Sequence, residues 1–306
     1  MSKSRYADRF LGCTDLLRQF KDNQIERLRI LPPDLRKEQI VEWADLAKSE
    51  AGIKDRYRGR YLFELIQNAN DAIIDLADTD HRNRADHHHP VRLELTSRSL
   101  LVANYGKPFG KKNVEALCRL HKTTKSASKQ IGHKGIGFKS VLEISQRPEV
   151  YSLGDKISYA FGFDGDQFLN DVAGIMGPDW ENHEKLPILR TPYFRNLNHL
   201  PPVDRERIEQ LFDDGYVTII RLPWEDSQTV TEVTTRLKQD IQPPLLLFMP
   251  AISQIDIAYP DDTEVYFRRQ ERPSQHPSMR EVILYQGAGD QEAEHSRWLV
   301  LSPGPS

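Results

Sequence analysis

The chain has 306 residues, 38 % of them hydrophobic and 9 % aromatic, which excludes a disordered chain and gives enough apolar side chain for one large or two small domains. Its 42 basic and 45 acidic residues balance to a net charge of -3, so no global field draws it to nucleic acid or to an anionic membrane. Cys13 and Cys118 are the only cysteines, which excludes a disulfide framework and a C-x-x-C metal pair and suits reduced thiols in a cytoplasmic protein. Met1 to Leu11 carries four charges and no apolar core, so it does not read as a signal peptide. The longest apolar stretch, Leu245 to Ile252, contains Pro250 and falls far short of the ~20 residues of a membrane span.

Residues 1–50 read as helical. Leu11, Leu16, Leu17, Phe20 and Ile25 recur at near-helical spacing, and Pro32-Pro33 breaks the run. A second helix starts near Asp34, carries Leu35, Ile40, Val41, Trp43, Leu46 and Ala47, and is expected to end at Gly52. A third helix is expected from about Asp55 to Leu76, then a polar loop from Thr79 to Pro90. Val91 to Thr96 and Ser99 to Asn104 alternate as a β-hairpin. Val114 to His121 reads as helix, Lys122 to Gly137 as a Lys, Ser, Thr and Gly-rich loop, and Phe138 to Ile144 as helix. Glu149 to Leu153 and Ile157 to Phe163 read as strands. Residues 164–214 are rich in Asp, Asn and Pro and lack periodicity, so an irregular insertion with some short helix is expected. Tyr216 to Leu222 reads as a strand and Thr229 to Ile241 as a helix. Four further strands are expected at Ser253 to Tyr259, Glu264 to Arg269, Glu281 to Gln286 and Trp298 to Leu301. Clustered helices and mostly sequential strands point to an α+β layer rather than to alternating βαβ units.

Three stretches carry candidate chemistry. The first is Glu64-Leu65-Ile66-Gln67-Asn68-Ala69-Asn70-Asp71-Ala72. On a helix, positions i, i+4 and i+7 lie within about 40° of one another. Glu64, Asn68 and Asp71 therefore form one polar stripe, with Leu62, Leu65, Ile66, Ala69 and Ile73 on the other side. Two carboxylates and an amide on one face can hold a hydrated Mg²⁺, which prefers oxygen and keeps several waters, and can activate a water. An amphipathic helix with a solvated face has the same pattern. The second stretch, Val102-Ala103-Asn104-Tyr105-Gly106-Lys107-Pro108-Phe109, runs a strand into a turn. Gly106 lets backbone approach a ligand closely and Pro108 stiffens the exit, although a plain turn reads alike. The third, Ile131-Gly132-His133-Lys134-Gly135-Ile136-Gly137-Phe138-Lys139-Ser140, is a G-x-x-G-x-G loop opening a helix. Its exposed N–H groups and the helix N-terminus suit phosphate. A polar loop, not a strand, precedes it, which argues against a dinucleotide fold, and no G-x-x-x-x-G-K-[ST] occurs. His133 and Lys134 either touch phosphate or are exposed. His87-His88-His89 reads as a solvated loop, because three adjacent His cannot readily face one metal. The four Trp show no stacking-platform spacing with basic residues, so nucleic acid is not indicated.

In order and spacing these stretches resemble the N, G1 and G2 boxes of the GHKL ATPases, the superfamily of gyrase B, the ninety-kilodalton heat-shock chaperone, sensor histidine kinases and MutL. Their wording most resembles the sacsin and plant NO VEIN type and large bacterial proteins with a similar N-terminal module. Arg60-Tyr61-Leu62-Phe63-Glu64-Leu65-Ile66-Gln67-Asn68-Ala69 and His133-Lys134-Gly135-Ile136-Gly137-Phe138-Lys139-Ser140-Val141 carry that likeness. It covers residues 55–153 and extends more thinly to about 259, where Gly215 to Leu222 looks like a later box containing Thr218.

The resemblance implies an α+β, two-layer Bergerat sandwich: a largely antiparallel mixed sheet with helices on one face and ATP between the third helix and the loops. It implies Glu64 as the general base and Asn68 as the Mg²⁺ ligand. Gly132, Gly135 and Gly137 look like the phosphate cradle, with Phe138 beside them. Lys125 and Ser126 match lid residues that reach the phosphates, and Asp71 supports the pocket through hydrogen bonds. Asn104 stands where the family has an Asp that accepts from the adenine amino group, and Pro108 replaces a glycine. An Asn carbonyl can accept the same bond without charge. The implied organisation is a helical extension over 1–50, an ATP-binding domain over 51–260 with a lid at about 111–131, and a β-rich extension over 261–306 leading to further domains or to a true terminus. The implied activity is slow Mg²⁺-dependent ATP hydrolysis that switches the conformation of a larger protein through a downstream effector domain or a partner. A nucleotide-dependent homodimer through the N-terminal helices is also expected. A nucleotide-sensing or scaffold module without turnover is the rival, and Glu64 argues against it. A histidine kinase is a further rival, but no helical hairpin with a phospho-acceptor His precedes the first box. Chaperone-like remodelling and anti-phage defence are both open by analogy.

Overall fold

The computed structural model describes residues 3–56, 59–79, 89–118, 137–178, 180, 185–275, 278–289 and 294–301. The run Ser99–Asn104 is apolar at four consecutive positions, the pattern of a strand covered on both faces rather than one. It forms β2, antiparallel to β1 (Pro90–Leu95) across a turn closed by the Thr96 N–H to the Ser99 carbonyl at 2.9 Å. Around this hairpin lie β3 (Glu149–Ser152), β4 (Tyr159–Phe163), β5 (Pro192–Phe194), β6 (Thr218–Pro223), β7 (Gln254–Ala258), β8 (Glu264–Pro273), β9 (Met279–Ala288) and β10 (Glu294–Leu301). They make one sheet in the order β10-β9-β8-β7-β1-β2-β6-β3-β4-β5. Every neighbouring pair is antiparallel except β1 with β7. With its main helical layer this is a mixed α+β sandwich on a largely antiparallel sheet, but helices were expected on one face only, and the helix over residues 202–213 packs on the other. The strands beyond residue 260 continue the same sheet through the β7–β8 pair.

The helices are α1 (Thr14–Ile30), α2 (Pro33–Arg56), α3 (Tyr61–Thr79), α4 (Lys111–Cys118), α5 (Gly165–Met176), α6 (Pro202–Asp213) and α7 (Ser227–Asp240). On one face of the sheet Leu100 and Val102 meet Leu65, Ile66 and Ala69 of α3 in the main core. On the other, Leu101 and Ala103 meet Ile208, Leu211 and Phe212 of α6 and Phe10 of an N-terminal 3₁₀ segment. The N-terminal residues, expected as an extension, thus enter the fold: Phe10, Cys13 and Leu17 are buried in its two central cores. Ile25 and Leu28 of α1 pack with Ile40 and Trp43 of α2 and Phe168 and Val172 of α5.

Gly52 does not end α2, which continues to Arg56. One glycine costs a helix only about 1 kcal/mol, too little to stop it alone. The real break is Gly59, whose φ of 78° is open to glycine and whose N–H donates to Glu143 Oε2 at 2.7 Å. The third helix accordingly starts at Tyr61 rather than near 55. The helix expected over Phe138 to Ile144 is a 3₁₀ helix, Gly137–Glu143, in which the Ser140 hydroxyl donates to the Gly137 carbonyl at 2.5 Å. The supposed irregular insertion contains α5 and α6. Asp164 caps α5 by accepting from the Gln167 N–H, and Gly177 ends it at φ 94°. Pro202 opens α6 at the one helical position that needs no N–H.

Behind the sheet, Arg221 of β6 donates from Nε to Asp204 Oδ2 and from Nη1 to Glu149 Oε2, both at 2.8 Å. Asp204 also accepts from the Thr96 hydroxyl at 2.8 Å and Glu149 from the Tyr151 hydroxyl at 2.9 Å. This buried network ties α6 to β3, β6 and the β1–β2 turn. Both cysteines are buried, and neither forms a disulfide. Among the described residues no helix is long and apolar enough to cross a membrane.

Candidate functional site

The α3 helix divides by burial as its spacing requires. Leu62, Leu65, Ile66, Ala69 and Ile73 are buried against the sheet. Glu64 and Asp71 are half-buried and Asn68 is exposed, so the three form the outward polar stripe. None of the three side chains has a hydrogen-bond partner among the described residues. Asn70, one residue from the stripe, behaves differently: it is buried and its Oδ1 accepts from the Ala251 N–H at 3.0 Å. Asn70 is thus a pin for the segment before β7, a role its position in the motif did not signal.

Glu64 and Gly137 meet. A Cβ placed on Gly137 would collide with the Glu64 carboxylate, its carbon lying 2.8 Å away. The last glycine of the third motif therefore has no room for a side chain because the first motif's carboxylate occupies that space. Burial pushes the Glu64 pKa up, and the nearby Arg60 charge works against it. Phe138 is buried directly behind, in the core that α3 also lines.

Two turns further along α3, Gly106 meets the same helix. Its φ is 121°, and a Cβ there would lie 2.7 Å from the Ala72 carbonyl carbon and 2.8 Å from the Ile73 nitrogen. The Lys107 N–H donates to the Ala72 carbonyl at 2.9 Å. Only glycine permits this approach, so the second motif's turn is locked to the helix beside Asp71. Seven residues of helix separate Glu64 from Asp71, roughly 10 Å at 1.5 Å per residue.

At the Asp71 end the sheet contributes a row across three neighbouring strands: Asn104 pairs with Thr218, and Thr218 with Ser152. The Thr218 and Ser152 hydroxyls are 2.8 Å apart, and Ser152 Oγ accepts from the Phe109 N–H at 2.9 Å. Ser152 was missed in the sequence; only its place at the end of β3 opposite Thr218 marks it. Asn104 is buried and donates from Nδ2 to the Tyr105 carbonyl at 2.5 Å. That bond consumes a donor and leaves Asn104 Oδ1 as an acceptor without a protein donor among the described residues.

Lys139 is a further residue the motif did not flag: it is buried, burial lowers its pKa, and Glu50 of α2 works in the opposite direction. Lys125, Ser126, Gly132 and Gly135, with His133 and Lys134, lie outside the described residues, as do His87 and His88 and the lid beyond Cys118. His89 is half-buried rather than solvated. Its N–H donates to Ser253 Oγ at 2.9 Å and its ring centroid lies 6.4 Å from that of Tyr105.

No family model matches the chain. Over 194 residues, 62 % of its length, the chain is 29 % identical to Protein NO VEIN of Arabidopsis thaliana. The matched part is 6 % of that protein, so the chain is similar to a small portion of a far longer one.

Proposed function

We propose that the chain is a GHKL-type ATP-binding and ATP-hydrolysing module of a larger protein. The observation that carries this reading is the convergence of three sequence motifs on one helix face. Glu64 lies against Gly137, Gly106 lies against Ala72, and the side chains of the stripe between them have no hydrogen-bond partner among the described residues. The site is long enough for a base at the Asn104 end and a phosphate tail at the Glu64 end.

Glu64 acts as the general base that holds and deprotonates the attacking water. Its raised pKa suits this task, because a base is most effective when its pKa approaches the working pH. The Gly137 N–H, at the start of a helical segment, faces developing negative charge. Asn104 Oδ1 accepts from the adenine amino group, and Thr218, Ser152 and Asp71 frame that end. The donor set fits a magnesium ion: Asn68 presents an uncommitted amide oxygen on the exposed stripe and would hold it, and Mg²⁺ when bound neutralises phosphate charge. ATP turnover then biases the conformation of whatever the module is joined to.

A titration with ATP, with and without Mg²⁺, followed by phosphate release, tests the reading. Asn68→Ala is expected to abolish the Mg²⁺-dependent part of the binding. Undiminished ATP·Mg²⁺ affinity in the folded variant would remove the metal role, and binding without phosphate release would make the module a sensor.

A further inference from the structure

Asn104, Thr218 and Ser152 stand side by side on β2, β6 and β3, and all three face α3. Val102, Ile220 and Val150, two residues away on the same strands, lie in the core that α3 lines, and a strand repeats its faces every two residues. At one end of the row the Ser152 Oγ accepts from the Phe109 N–H at 2.9 Å. Phe109 follows the turn that Gly106 and Lys107 lock to α3, so this bond fixes Ser152 relative to the site.

Each of the two hydroxyls has one hydrogen to donate and two lone pairs. The oxygens are 2.8 Å apart, so one hydrogen lies between them, and either side chain could supply it. If Thr218 supplied it, Ser152 would accept twice, from Thr218 and from Phe109. Its own hydrogen would then have no acceptor among the described residues. Ser152 is 0 % exposed, and a buried O–H without an acceptor bears its full desolvation penalty. If Ser152 supplies the hydrogen, it accepts from Phe109, donates to Thr218 and is satisfied. The spare hydrogen then belongs to Thr218, which keeps 3 % exposure and makes no other side-chain hydrogen bond among the described residues. The second arrangement costs less.

Thr218 thus has a hydrogen to give, and Asn104 beside it has an oxygen to fill. The Tyr105 carbonyl can only accept, so it orients the Asn104 amide with Nδ2 toward it. The Asn104 Oδ1 is left without a donor among the described residues and is not sealed from solvent. An acceptor next to a donor matches a base edge that carries an amino group beside an unprotonated ring nitrogen, which is adenine's. Guanine presents the reverse, a carbonyl beside a ring N–H.

We propose that Ser152 is a positioning residue for base recognition: by donating to Thr218 it commits the Thr218 hydroxyl hydrogen to the ligand, where it meets the ring nitrogen of adenine. Ser152 itself touches no ligand and acts through Thr218. It has this role only if the chain binds ATP as proposed above.

Calorimetry on the whole chain with ATP and with 1-deaza-ATP, in which a C–H replaces that ring nitrogen and the amino group is kept, tests the assignment. Wild type is expected to prefer ATP about tenfold, because the analogue leaves a buried donor unmatched. Ser152→Ala removes the hydrogen that commits Thr218 and is expected to cut the preference to about threefold or less. A role in packing alone would weaken both nucleotides equally and leave the ratio unchanged. If Ser152→Ala does not fold, Ser152→Cys, close in size and only a weak donor, is expected to lower the ratio in the same direction. Equal affinity of wild type for the two nucleotides, or a preference that keeps its wild-type size in the folded variant, overturns the role of Ser152 while ATP binding stands. Binding of neither nucleotide overturns the ATP-binding reading and this role with it.

Discussion

Burial of Glu64 disfavours its charged form, and Arg60 offsets only part of that. The folded pKa therefore lies above the unfolded one. The carboxyl helps stability at pH below the unfolded value and that contribution is lost as pH rises through the folded value. As the proposed base, Glu64 would work only above the raised value, so the acid limb of the proposed hydrolysis is expected above the ordinary glutamate range. Glu64→Gln is expected to keep ATP binding, lose roughly 10²–10⁴ in turnover and melt higher than wild type at pH 8. Phosphate release and melting curves at pH 5 and 8 check both halves, and wild-type turnover in the variant would make Glu64 structural. Asn104 poses the opposite problem. One hydrogen of its Nδ2 goes to the Tyr105 carbonyl, and its Oδ1 has no donor among the described residues. If the proposed site holds adenine, Asn104→Asp supplies a stronger acceptor to its amino group but loses the bond to the Tyr105 carbonyl. Tighter ATP binding with about 1–2 kcal/mol less stability is expected. Titration with ATP and GTP beside denaturant unfolding separates the two effects, and lost ATP binding in a folded variant would mean that Asn104 donates to the base.

At the scale of elements, Arg221 fastens α6 to the back of the sheet through two buried carboxylates. Removing one member strands another: Arg221→Met leaves the buried Asp204 without its cation, while Glu149 keeps Arg195 at 3.6 Å, and is expected to cost about 3–5 kcal/mol. The triple change Arg221→Met, Asp204→Asn, Glu149→Gln should recover most of that, and urea unfolding of the two variants checks it. Nothing in the sequence announced this network, since its members lie on three elements far apart in the chain. What was legible was local. The β1–β2 hairpin, the α3 stripe and the glycine turn each repeat a period or carry a residue that one backbone conformation demands. The α5 and α6 helices were expected only as some short helix in an irregular insertion, because the segment's Asp, Asn and Pro read as loop, although Asp164 and Pro202 are helix-start signals. Ser152 and Asn70 were missed for another reason: their roles come from partners across the sheet and beyond α7, which spacing within one motif cannot reveal.

At the scale of the whole molecule, the proposed nucleotide site raises the question of what the N-terminal helices would do on binding. They are not a loose strap, because Leu17 and Leu28 are core residues, and each such side chain is worth about 2–5 kcal/mol when truncated. Deleting residues 1–30 would therefore test folding rather than association. Yet the same helices keep Ile30 77 % exposed and Val41 56 % exposed, an apolar surface their burial elsewhere does not explain. Nucleotide can drive association only by binding an associating conformation better than the resting one, by a differential that matches the population shift. The phosphate contacts that family resemblance implies for Lys125, Ser126 and the Gly132 to Gly137 loop would supply that differential, since they follow α4 directly in the chain. The chain is thus expected to be mostly monomer without nucleotide and to shift toward dimer with a non-hydrolysable ATP analogue. The double change Ile30→Ser, Val41→Ser should weaken the dimer and leave nucleotide affinity unchanged. Light scattering across a wide protein concentration range checks this, and an unchanged mass with and without the analogue would rule out a nucleotide-driven dimer of this chain.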